Sequence, residues 1–104
     1  MTIVALLSVA PVKEGSMAAD VAAAIAALDE FDVAYKTNPM GTVIEADEMD
    51  TLLAAVGAAH AAVDADRVST FLKIDDKRTT TQRAADKVNA VQQELGRPPK
   101  QDRT

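Results

Sequence analysis

The chain has no cysteine and no tryptophan, and it carries a single histidine, one tyrosine and two phenylalanines. Without cysteine there is no disulfide, no thiolate nucleophile and no Cys-based metal site. With one histidine, a His-based metal centre lacks its second imidazole. A serine triad is unsupported as well, because no nucleophile elbow accompanies His60. Neither a phosphate-binding P-loop nor a dinucleotide fingerprint occurs. No apolar run reaches the roughly 20 residues of a membrane helix. No basic segment or cleavage site opens the chain, so the expectation is a soluble cytoplasmic protein. The formal charge is −5, and no basic face with interleaved aromatics is visible, which argues against a nucleic-acid partner. An acidic balance fits a cationic ligand better, and it also serves solubility.

What the chain does have is alanine. Its 104 residues suffice for one domain with one core, but alanine supplies much of the hydrophobic share, so the core should be thin and closely packed. Residues 2–10 read as a strand, with Ile3, Ala5, Leu7 and Val9 on one face and Val4, Leu6 and Ser8 on the other. A strand apolar on both sides is expected at the centre of a sheet, covered twice. Ser16 is positioned to cap a helix running to about Asp29, with Met17, Val21, Ala24, Ile25 and Leu28 as its buried stripe. Residues 32–37 and 40–46 form a hairpin about Asn38-Pro39, because proline fixes φ and biases the preceding residue away from the helical region. Asp47 is a candidate cap for a second helix to about Asp64, whose stripe is Met49, Leu52, Leu53, Val56, His60 and Val63.

Residues 67–75 make a last strand, polar enough on one side to be an edge. Thr79 and Gln82 have the spacing of a capping box before a third helix to about Leu95, which Gly96 stops. The order β-α-β-β-α-β plus a helix points to a ferredoxin-like α+β domain, an antiparallel sheet with an extra C-terminal helix, over residues 1–96. Residues 97–104, with two prolines and mixed charge, read as a disordered tail. Two helices on one face would leave the other bare in a monomer, so a homodimer or homotetramer is expected.

The stretch Thr37-Asn38-Pro39-Met40-Gly41-Thr42-Val43-Ile44-Glu45 carries the best functional clue. Thr42, Val43 and Ile44 suit a strand, while Glu45 puts a carboxylate where acidic residues are depleted. Glu45 can accept hydrogen bonds from a ligand amine or balance a cation, or it can pair with Lys73 across the sheet. Thr37, Asn38 and Thr42 can hydrogen-bond a heterocycle, or bond their own backbone as such residues do at turns. Ser16 offers a helix N-terminus to a polar ligand, or serves as a self-satisfied cap. His60 reads as a base or as a hydrogen-bonded structural residue. Asp75 and Asp76 could face Mg²⁺ or pair with Lys77 and Arg78. Tyr35 and Phe71 could stack on a ring, although strand aromatics are usually core.

The same nine residues resemble the central signature of the small thiamine-binding proteins of the MTH1187 type, related to YkoF. Lys73-Ile74-Asp75-Asp76-Lys77-Arg78 and the helix segment Ala58–Val63 match as well, and the resemblance spans roughly residues 2–95. It implies a non-enzymatic binder of thiamine or its hydroxymethylpyrimidine moiety, as ligand rather than cofactor, without a metal. The ligand would sit near the hairpin 37–45 and a subunit interface, with Glu45, Thr37, Asn38 and Thr42 as contacts, and Ser16 is added as a candidate contact from its place at a helix start. It also implies dimers assembled into tetramers. Two other classes stay open: a structural or regulatory ferredoxin-like oligomer without a small ligand, and a small dimeric α+β enzyme using His60.

Overall fold

A computed structural model describes residues 2–100. The elements run β1 (Ile3–Pro11), α1 (Ala18–Leu28), β2 (Ala34–Asn38), β3 (Gly41–Ala46), α2 (Met49–Ala61), β4 (Val68–Asp75) and α3 (Ala84–Leu95). The sheet order is β2-β3-β1-β4 with every neighbouring pair antiparallel. This is the ferredoxin-like arrangement expected from the element order, with α3 added. β4 lies at an edge, and β1 lies inside the sheet.

Strand alternation sorts the residues onto two faces. On one, Ile3, Ala5, Leu7 and Val9 of β1 and Ile44 and Ala46 of β3 are buried under α1 and α2. Leu28, Ile44 and Leu52 are the largest fully buried side chains, each contributing about 1.5–3 kcal/mol by leaving water. Ala24, Ala55 and Ala59 fill the remaining helix positions. The core is therefore thin, as the composition requires.

The opposite face carries Val4, Leu6, Ser8, Val43 and Glu45, all only partly buried. The second cover expected over β1 is thus partial. We call these the helix face and the open face.

Three local expectations are corrected. First, the buried stripe of α2 is Leu52, Ala55, Val56 and Ala59, while Leu53 is 48% exposed and His60 is exposed. Spacing of 3, 1 and 3 satisfies the helical period as well with alanines as with leucines, and the small residues win because the helix lies close to α1. Second, Asp47 and Ser16 do not occupy cap positions: the residues there are Glu48 and Met17, neither with a side-chain cap bond. Third, α3 starts at Ala84 rather than after Thr79. Asp86 accepts the Arg83 backbone N–H at 2.9 Å, closing the first turn in place of Thr79 and Gln82.

Gly96 ends α3 with φ 73°, the left-handed geometry expected of it. Residues 97–100 carry no regular structure; the rest of the expected disordered tail lies outside the described residues. No helix among the described residues is long and apolar enough to cross a membrane.

Candidate functional site

The hairpin turns through Pro39 and Met40, because Asn38 pairs with Gly41 and Thr37 with Thr42. No non-glycine residue among those described has positive φ, so the turn uses negative φ at both centres, which proline favours at the first. Asn38 steadies it by donating from Nδ2 to the Lys36 carbonyl at 3.3 Å. Gly41 serves close approach rather than conformational freedom. A Cβ there would lie 3.0 Å from Leu6 Cδ1 and 3.1 Å from the Leu7 carbonyl oxygen.

This hairpin closes one end of a cleft on the helix face. The cleft has a volume of about 210 Å³ and is walled by Met17, by Val21, Ile25 and Leu28 of α1 and by Leu7 and Val9 of β1, with Thr37–Thr42 at the hairpin end. Its walls are apolar apart from Ser8 and the hairpin. Thr42 is 5% exposed, and its Oγ1 lies 3.3 Å from Thr37 Oγ1, with either hydroxyl able to donate. A hydroxyl offers one donor and two acceptor sites, so the pair keeps unused capacity at the cleft wall. Met40, at the tip, is 87% exposed. Beside this region, Tyr35 donates its hydroxyl to Asp29 Oδ1 at 2.6 Å, tying β2 to the end of α1. That bond, followed by desolvation and the Asp29 charge, raises the Tyr35 pKa.

Glu45 lies elsewhere. Strand alternation puts it on the open face, three residues and roughly 10 Å along β3 from Thr42. Its partner is Arg83, not the anticipated Lys73. Arg83 Nε donates to Oε2 at 3.2 Å and the Ala84 backbone N–H donates to Oε1 at 2.9 Å. A second cleft of about 340 Å³ lies here, between Lys36, Val43 and Glu45 of the sheet and Arg83 with Ala84 and Val88 of α3.

The sequence candidates are therefore divided. Thr37 and Thr42 meet on the helix face, Asn38 borders both clefts, and Glu45 belongs to the open face. Ser16 is exposed just before α1, where its Oγ accepts the Ala18 N–H at 3.3 Å, while its neighbour Met17 lines the cleft. His60 lines neither cleft. Its Nδ1 bonds Thr70 Oγ1 at 2.5 Å, joining α2 to β4. Asp76 pairs with Arg78 at 3.2 Å, and Asp75 pairs with Lys87. No group of three metal-ligating side chains occurs among the described residues. Reading the sequence missed Arg83, whose role has no local signal. It also missed the division itself, which the period of two along residues 42–45 does encode.

A family model described as thiamine-binding protein matches residues 5–92. The chain belongs to the thiamine-binding protein family. Among its relatives, the UPF0045 protein of Methanothermobacter thermautotrophicus is 45% identical over 83 residues, covering 77% of this chain and 84% of that one. The crystal structure of the hypothetical protein MJ1052 of Methanocaldococcus jannaschii aligns with a TM-score of 0.80 at 35% identity, covering 86% of this chain and 95% of that one. A putative thiamine biosynthesis/salvage protein of Thermotoga maritima shares the fold, with a TM-score of 0.75 at 21% identity and coverage of 88% and 99%. The matched residues of the family member contain the whole hairpin and both clefts.

Proposed function

We propose that this family member is a non-catalytic small-molecule binder that seats the pyrimidine ring of thiamine, or free hydroxymethylpyrimidine, in the helix-face cleft. The carrying observation is the buried Thr42 hydroxyl paired with Thr37 at the end of a mostly apolar slot. Ligand sites combine mostly apolar walls with a few fixed polar groups, and this slot has that composition. Its volume of about 210 Å³ is below the roughly 300–1,000 Å³ of sites for larger ligands. A single ring suits it, and the thiazolium of thiamine would extend past Met17 or Met40 into solvent. The Thr37 and Thr42 hydroxyls and the Asn38 amide supply donors and acceptors for ring nitrogens and an exocyclic amine. Ser16 stands outside the slot. Glu45 also stands outside the slot, on the open face, where its carboxylate accepts from Arg83 and the Ala84 N–H.

Assembly into a homodimer or homotetramer belongs to the same proposal. Phe71, 59% exposed on the open face of β4, the edge of β4, and Val88, Val91 and Leu95 along α3 are the apolar surfaces a second copy would cover.

Calorimetric titration with thiamine and with hydroxymethylpyrimidine, beside sedimentation velocity, tests this. Saturable binding of both, with most of the affinity kept by the pyrimidine alone, supports the proposal. A folded oligomer giving no heat with either compound would leave a structural or regulatory oligomer as the reading.

A further inference from the structure

We propose that α3 is a removable cover over Glu45 and the second cleft, fastened by a two-carboxylate latch formed by Glu45 and Asp75. The strand register places the latch. Val4 of β1 is paired on one side with Glu45 of β3 and on the other with Asp75 of β4, so the two carboxylates flank one apolar residue in a single row across the sheet. The first turn of α3 meets that row. Glu45 receives the Arg83 guanidinium and the Ala84 N–H, and Asp75 receives the Lys87 ammonium. Residues 83 and 87 are one helical turn apart, which brings both cations to the same side of the helix. The Glu45 carboxylate also faces the positive end of the helix.

Within one subunit, little else fastens α3. It has no buried residue, whereas α1 buries Ala24 and Leu28, and α2 buries Leu52, Ala55, Val56 and Ala59. Val88, Val91 and Leu95 are all exposed. The segment 76–83 that leads to it has no helix or strand, so the helix can swing without breaking the sheet. In each pair at least one partner is open to solvent, Arg83 in one and both Lys87 and Asp75 in the other, and contacts of this kind are weak and screened by salt. A helix held by apolar burial would respond to neither salt nor loss of charge. Release of the latch opens the second cleft beside Val43 and frees the Glu45 carboxylate in it. The cover is independent of the ligand proposal, whose slot lies on the other side of the sheet.

Hydrogen exchange followed by mass spectrometry on the full chain tests the latch. In the Glu45→Gln/Asp75→Asn double variant, peptides from 84–95 should exchange about tenfold faster than in the native protein, as expected for loss of charge-assisted bonds, while β1 and α2 peptides keep their rates. In the native protein, raising the salt should speed exchange over 84–95 alone, a readout that does not depend on the variant folding. Equal rates over 84–95 in the native and double-variant proteins, or at low and high salt, would overturn the proposal. So would α3 opening only together with β1 and α2.

Discussion

The two faces of the sheet are built from the same strands, one residue out of phase, and they are held by different physics. On the helix face, Leu28, Ile44 and Leu52 are sealed from water, and Thr42, the one buried polar residue among those described, is paired with Thr37. On the open face, Val4 and Leu6 are only half-buried, and α3 is fastened to the sheet by charges. Apolar burial is not screened by salt and leaves little freedom, so the helix face can keep a preformed slot. Exposed ion pairs are weak and replaceable, so the open face can exchange its cover. Each strand thus serves a rigid side and an adjustable side.

The contrast can be broken most severely at Ile44. Ile44→Ala should cost about 2–5 kcal/mol of stability, measured by urea unfolding, whereas a cost below about 1 kcal/mol would mean the helix face is as loose as the open one. Next comes Gly41→Ala. The added Cβ meets the Leu7 carbonyl as well as Leu6, and overpacking of this kind costs roughly 1–3 kcal/mol, read in the same experiment. Thr42→Val keeps the shape and removes the hydroxyl. It should weaken hydroxymethylpyrimidine binding about tenfold, the size of one hydrogen bond to a ligand, while Lys36→Ala on the open face leaves the calorimetric affinity unchanged. Equal effects from both would erase the distinction between the faces.

The smallest effect concerns Asp75. The bond from Lys87, followed by the Lys87 charge and with lesser help from Lys73 and Lys77, lowers its pKa. A carboxylate lowered in the folded state adds stability above its unfolded value of about 4 and loses it as the pH falls through the lower folded value. An NMR titration should place Asp75 below an unpaired aspartate, and Lys87→Ala should return it upward.

Much of the fold was legible in the sequence because it depends on patterns that survive without context. Alternation in residues 3–9, proline at the hairpin and glycine after Leu95 each have a local cause. The α2 stripe was misread because large residues draw attention, whereas Ala55 and Ala59 are chosen by the closeness of α1, a tertiary fact. The start of α3 was misplaced because the carboxylate of Asp86, not a hydroxyl at Thr79, closes its first turn. The candidate site was legible as a stretch but not as a place. Thr37, Thr42 and Glu45 all lie within nine consecutive residues, yet a pleated strand sends the last two to opposite sides. Arg83 comes to Glu45 from 38 residues away, and no local pattern announces it.

The rim of the helix-face slot is made partly of sulfur. Met17 and Met40 both line it and both are exposed, so their thioethers are open to oxidants as well as to a ligand. Oxidation to the sulfoxide turns a pliable apolar side chain into a polar one. With no cysteine in the chain to react instead, oxidative damage would fall first on the entrance to the slot and leave the buried core untouched.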